Sequence, residues 1–247
     1  MILLLLVACL ALTSVARATL DSALQAQEML GRETWSRVLK IRNSERLGVY
    51  PAIVYATVFE FNGILWFFTE ADGTQSLSLY KNRLEQDKAG LGPLLLAISP
   101  GFRSFVELPD RAGPGRSDRY PKLRNGCFVE SVHALRRLQA QGKRIVDARL
   151  LLFYLSTTRG TVGHTGLVFT TADGHFYWDP EAPARVEPVA NPTETAPIEV
   201  VRDVVARRDV ARIQRALFVP VRGLTRSGPQ LASAPLDDAP VGGLAGL

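Results

Sequence analysis

The sequence is poor in cysteine: its 247 residues include two, Cys9 and Cys127, alongside three histidines. One of the two thiols sits in the extreme N-terminal apolar segment, which excludes a disulfide-stapled scaffold. With so few ligands a Cys/His structural zinc site cannot be assembled either, and no metal or cofactor is expected. Long apolar runs are also missing, and no stretch reaches the roughly 18 apolar residues of a membrane-crossing helix. No glycine-rich loop follows a strand pattern, so nucleotide binding has no support. Charge of one sign is thin: 29 Lys and Arg against 24 Asp and Glu leave a formal +5. That bias is too weak to imply nucleic acid as a partner.

Enough apolar material is present for a packed core, at 47% hydrophobic and 8% aromatic residues, so the chain is not of the disordered class. Its length suits one domain, or one domain with an elaborated lobe. Residues 1–18, MILLLLVACLALTSVARA, join an apolar run of about twelve residues to Ala16-Arg17-Ala18, the length and ending of a secretory signal. The expectation is an exported protein, periplasmic or secreted, whose mature chain begins at Thr19. Leu6-Val7-Ala8-Cys9 also reads as a lipoprotein cleavage box, an alternative that anchors the chain through Cys9. Either way Cys127 is the one thiol left in the body of the protein.

Apolar spacing from Leu20 to about Ile41 follows a helical period. Ile53–Phe61, the turn pair Asn62-Gly63, Ile64–Thr69, the turn pair Asp72-Gly73 and the alternation after it give a three-stranded meander. From about Lys81 to Ile98 the pattern is helical, interrupted at Gly90, Gly92 and Pro93. Residues 109–122 form a loop with Gly113-Pro114-Gly115 and the basic residues Arg111, Arg116, Arg119 and Lys122. A helix opens at Cys127 and ends at Gly142. Short β-rich runs follow at Leu150–Leu155, Thr165–Thr171 and His175–Trp178, with Asp173-Gly174 turning the last two. Beyond a Pro-rich stretch a short helix is expected near Asp203 to Arg215, then an edge strand at Leu217–Val221 and a flexible tail from about residue 225.

The chemistry-bearing residues sit in one order: Cys127, His164, Asp179. A thiol is a weak nucleophile until ionised, since a reference pKa near 8.5 leaves only a few per cent thiolate at neutral pH. The first turn of a helix favours an anion, and an imidazolium partner favours it further. His164 then serves as base and acid, and Asp179 fixes its tautomer and orientation. The 37 residues from Cys127 to His164 accommodate the helix, a connection and one strand, and the 15 from His164 to Asp179 span one hairpin. The backbone N–H of Cys127 is a ready oxyanion donor, and Asn125 and Gln75 are side-chain candidates for the same role. His133 falls on a different helix face from Cys127 and reads as a packing residue, as His175 does in the hairpin. Each of the three has a plain structural reading as well: a small buried thiol, a strand-end imidazole, an Asp-Pro turn starter.

Asn125-Gly126-Cys127 at a helix start, Gly163-His164-Thr165-Gly166-Leu167-Val168-Phe169, and Tyr177-Trp178-Asp179-Pro180 resemble the transglutaminase-like branch of the papain-like thiol enzymes. The likeness covers roughly residues 120–182. It implies an α+β fold with a Cys-bearing helix packed on an antiparallel sheet, here with an N-terminal helix and meander added. It also implies Cys127 as nucleophile, His164 as general base and acid, and Asp179 as the orienting group. Phe128 follows the thiol where Trp is frequent, and His164-Thr165-Gly166 is closer to the text of bacterial cell-wall endopeptidases. Pro121 and its neighbours include no Gln, the oxyanion donor that many papain-like peptidases have several residues before the Cys. The division expected is a region 19–100 and a papain-like core 101–224. The function expected is an exported peptidase, amidase or acyl transferase on peptide-like substrates, cell-wall peptide among them. The alternative is a catalytically inactive envelope module that binds peptide or glycan on the same fold.

Overall fold

The computed structural model describes residues 20–32, 34–44, 51–76, 92–109, 122–157, 160–205 and 212–221. The signal-like segment with Cys9, residues 81–91, the basic loop through Pro121 and the C-terminal tail lie outside them. Among the described residues the architecture is α+β, with two antiparallel five-stranded sheets and four helices. The first sheet has the order β4 (Gly73–Ser76), β3 (Ile64–Thr69), β2 (Ile53–Phe61), β1 (Ser36–Asn43), β5 (Phe102–Glu107), and the second β10 (Arg212–Pro220), β6 (Asp147–Thr157), β7 (Gly160–Thr171), β8 (Gly174–Trp178), β9 (Val186–Pro188).

Helix α1 covers residues 20–30 and stops there, short of the end expected from the apolar spacing. Gly31 adopts the left-handed conformation, φ 67°, which closes a helix without the penalty of a Cβ. The next residues, Ser36–Asn43, are strand β1, paired along its length with β2 (Ile53–Phe61). Val38, Leu39 and Ile41 fit a helical period and a strand equally well, and cross-strand pairing with a β-branched partner decides between them. Strands β3 (Ile64–Thr69) and β4 (Gly73–Ser76) complete the expected meander. Asn62 and Gly63, at φ 57° and 71°, make the tight turn that a two-residue hairpin requires. The meander is not an isolated lobe: β1 and β5 (Phe102–Glu107) extend it.

Gly92 and Pro93 open helix α2 (Gly92–Ile98); proline suits a first turn, where its missing N–H has no intrahelical partner. Helix α3 (Cys127–Ala140) begins at the thiol, and Gly142 follows it at φ 76°. The second sheet contains β6 (Asp147–Thr157), β7 (Gly160–Thr171), β8 (Gly174–Trp178), β9 (Val186–Pro188) and β10 (Arg212–Pro220). The helix expected near residues 203–215 is displaced: α4 is Pro197–Val205 and Arg212–Pro220 is strand. Val200, Val201, Val204 and Val205 form the buried stripe of α4, so packing overrides the modest helix propensity of valine. β10 lies at the sheet edge, as Pro220 demands.

Alternation along the strands sorts the core into layers. Phe59, Phe61, Trp66 and Phe68 of the first sheet and Ala148, Leu150, Leu167 and Phe169 of the second meet α1 and α3 in one cluster. The opposite face of the first sheet packs on α2 through Leu95 and Ile98. The opposite face of the second packs on α4. The order is thus α2, first sheet, α1 with α3, second sheet, α4. A division at residue 100 does not follow the sheets, because β5 pairs with β1 and α3 shares its core with both. Among the described residues no helix is long and apolar enough to cross a membrane.

Phe128, next to the thiol, anchors this arrangement. Its ring lies 4.6 Å from that of Trp66, 5.4 Å from Phe61 and 5.9 Å from Phe59. Phe128→Ala is expected to lower unfolding free energy by about 3–5 kcal/mol, measured by urea denaturation. A loss below about 1 kcal/mol, the level of an ordinary surface substitution, contradicts the central placement of this ring.

Candidate active site

The thiol is positioned by a tight turn that precedes its helix. Asn125 is left-handed, φ 57°. Gly126 N–H donates to the Leu123 carbonyl at 3.1 Å, and a Cβ on Gly126 would stand 2.3 Å from the Leu123 Cβ. Only glycine fits there, which accounts for the Gly before Cys127. Two further side chains lock the turn. Glu130 Oε1 accepts from Leu123 N–H at 2.7 Å, and Asn125 Nδ2 donates to the carbonyls of Glu70 (2.9 Å) and Ala71 (3.3 Å). The second of these ties the thiol-bearing helix to the β3–β4 turn of the other sheet. Cys127 is half-buried and unpaired with sulfur, and no side chain caps the helix start. First-turn N–H groups therefore face the thiol end of the helix dipole.

His164 lies on β7 opposite Phe153 of β6, with the two rings edge to face at 5.1 Å. Ser131 Oγ, one turn along α3 from the thiol, donates to the Thr165 carbonyl at 3.2 Å and so fixes helix against strand. Asp179 follows β8 directly. Its Oδ1 accepts from His164 Nε2 at 3.1 Å and from Glu181 N–H at 2.7 Å, and its Oδ2 accepts from the Tyr177 hydroxyl at 2.9 Å. Asp179 is 3% exposed, and a buried carboxylate with this many donors is well satisfied. The Asp-Pro pair is thus a turn starter as well, through the bond to Glu181 N–H.

The structure brings Cys127, His164 and Asp179 together: the imidazole hydrogen-bonds to both other side chains. With Nε2 engaged by Asp179, Nδ1 is the ring nitrogen available to the thiol. Burial alone pulls the His164 pKa down and is the largest influence, but hydrogen bonds to Asp179 and Cys127, with the charges at both positions, push it up to about 9. A cationic imidazole beside a thiol is the kind of partner that thiol chemistry requires.

The remaining candidates fall elsewhere. Asn125 gives its amide hydrogens to Glu70 and Ala71, so it is a clamp and not an oxyanion donor. Gln75 is exposed on β4, paired with Phe67. His133 Nδ1 is 3.2 Å from the Met29 carbonyl and His175 Nδ1 is 2.9 Å from Thr170 Oγ1, packing roles in both cases. Among the described residues no group of three His, Cys, Asp or Glu is placed to hold a metal ion.

Sequence reasoning missed Glu130 and Tyr177. Glu130 is 7% exposed, and its pKa is raised, chiefly by burial and further by Glu181, against the Leu123 N–H, Lys122 and His164. Its place three residues after Cys127, within reach of the same helix face, was the available signal. Tyr177 stands two before Asp179 on a strand, where alternate residues share a face. A cleft of about 270 Å³ runs beside the site, lined by Lys122, Glu130, Arg137, Trp178 and Glu181 among others.

No protein family, curated protein or solved structure matches this chain.

The His164 shift has a signed consequence. A folded pKa of about 9, above the ordinary 6.5, means that the folded state holds the proton more tightly. This stabilisation is complete below about pH 6.5 and is lost as pH rises through about 9. The difference in unfolding free energy between the native chain and His164→Gln is expected to shrink over that window in urea titrations. A difference that stays constant from about pH 6 to 10 contradicts the raised pKa.

Proposed function

We propose that this chain is an exported cysteine-nucleophile enzyme of papain-like organisation that acts on amide bonds through an acyl-enzyme on Cys127. The observation that carries this reading is the His164 imidazole, bonded to Asp179 at 3.1 Å and to the thiol at the start of α3. Supporting it are the antiparallel sheet on which α3 packs and the near-complete burial of the Asp179 partner.

In this mechanism the thiol proton resides on His164 and the thiolate attacks the substrate carbonyl carbon. The carbonyl oxygen takes up the negative charge beside the N–H groups of the helix start. As the C–N bond breaks, His164 returns the proton to the departing amine, leaving a thioester on Cys127. A water or a second amine, deprotonated by His164, then attacks the thioester and restores the thiolate. Hydrolysis, by a peptidase or an amidase, and acyl transfer differ in that last nucleophile, and the substrate class is an amide of peptide type, cell-wall peptide included.

Alkylation of Cys127 by iodoacetamide, followed against pH in the native chain and in His164→Ala, tests the proposal. The native thiol is expected to react at pH 6 as fast as at pH 8, and His164→Ala to slow the reaction at pH 6 by about tenfold or more, as a free thiol profile dictates. An ordinary thiol profile in both proteins overturns the enzyme reading and favours the alternative, an inactive module that binds peptide or glycan on this fold.

A further inference from the structure

Asp179 orients His164, and its own orientation needs a cause. The carboxylate sits at the end of β8, where the strand gives way to a turn, and rotation about its χ2 would carry Oδ1 away from the imidazole. The Glu181 N–H holds Oδ1, the same oxygen that His164 engages. The other oxygen is held by the Tyr177 hydroxyl at 2.9 Å. Tyr177 is 2% exposed, among the largest fully buried side chains, and packs in the cluster with Leu151, Phe153 and Val168. Its ring is consequently fixed.

The ring occupies a slot that exists because residue 166 is glycine. In the β7–β8 register Val168 faces Tyr177, so Gly166, two residues earlier, lies diagonally beside Tyr177 on the same face. A Cβ on Gly166 would stand 2.3 Å from Tyr177 Cε2 and 2.5 Å from both Cζ and the hydroxyl oxygen. Any larger residue therefore displaces the hydroxyl itself. The Gly166 backbone needs no unusual conformation, so the requirement is for space alone.

We propose that Tyr177 is a positioning residue of the thiol site: through Oδ2 it fixes the Asp179 carboxylate so that Oδ1 faces His164, and Gly166 provides the slot its ring requires. The proposal rests on the triad reading above and adds to it a second layer, Gly166–Tyr177–Asp179, behind the imidazole. The H-x-G order in His164-Thr165-Gly166 then has a local physical reason: the residue two after the base clears the way for the tyrosine that orients the acid.

The test follows the His164 ring by NMR with labelled histidine. In the native chain His164 is expected to give a low-field, slowly exchanging Nε2–H resonance below about pH 9, the value to which its pKa is pushed. Above that it is expected as a single tautomer with the proton on Nε2. Tyr177→Phe keeps the ring in its slot and removes the hydroxyl. It is expected to broaden or lose the low-field resonance, mix the tautomers and slow Cys127 alkylation at pH 6 several-fold. Gly166→Ala, with the hydroxyl present but displaced, is expected to do the same. If Tyr177→Phe does not fold, 3-fluorotyrosine placed at 177 serves instead. Its stronger donor is expected to move the Nε2–H resonance upfield with an unchanged melting temperature. Unchanged resonance and tautomer in a folded Tyr177→Phe, or an unmoved resonance with the fluorinated ring, overturns the positioning role. Because the NMR signals report the carboxylate–imidazole geometry whatever the thiol does, this failure is distinct from an inert Cys127, which overturns the triad alone.

Discussion

Burial of helix α3 against both sheets at once is the constraint on which the site depends. A thiol at a helix start is only as well placed as the helix, and α3 has an apolar neighbour on either side: the Phe59, Phe61 and Trp66 rings on one, Leu150 and Leu167 on the other. Phe128 points into the first sheet directly after Cys127, so the residue beside the thiol is immobilised by aromatic contacts. The second sheet carries His164 and Asp179. The first sheet contributes no member of the triad, yet its β3–β4 turn receives the Asn125 amide and its strands form the floor under Phe128. The first sheet thus acts as a brace for the thiol turn. Close-packed interiors transmit such placement because their side chains have few alternative arrangements.

Electrostatics works in the same confined space. Taking charged groups out of water is unfavourable unless each meets a partner. Asp179 meets this condition through His164, Tyr177 and Glu181 N–H. His164, with its side chain 10% exposed, meets it through Asp179 and Cys127. The raised imidazole pKa follows from those partners, whose bonds and charges outweigh the effect of burial.

The hairpin region was the most legible part of the fold. Asn62-Gly63, Asp72-Gly73 and Asp173-Gly174 mark turns because left-handed backbone selects those residues, and the turns stand at these positions. Cys127 at a helix start was legible for the same reason, with Gly142 closing the helix. Residues 36–41 and 212–215 were read as helix because valine, leucine and isoleucine at mixed spacing satisfy either period, and the pairing with β2 and β6 that decides lies outside the local pattern. Of the site, the order and spacing of Cys127, His164 and Asp179 were visible. Asn125 was misassigned because its amide serves a turn about 55 residues away, a contact that local pattern cannot show. Tyr177 went unread as a site residue although its i, i+2 relation to Asp179 was present in the text.

Glu130 completes the charge balance of this region. In the proposed resting state the thiolate and Asp179 carry two negative charges against one on the imidazolium, which leaves an excess of one. A third buried carboxylate at Glu130 would raise it and weaken the thiolate. Burial and Glu181 instead push the Glu130 pKa up, which favours its neutral form. Its Oε1 still accepts from Leu123 N–H, while Oε2 is buried without a hydrogen-bond partner. An orphaned oxygen of this kind is unfavourable for a carboxylate more than for a carboxyl group. The residue therefore anchors the turn before Cys127, with a pKa raised by its burial. A glutamine would keep the anchor, but it would also fix the side chain as neutral at every pH, whereas glutamate retains a response to the charge on His164.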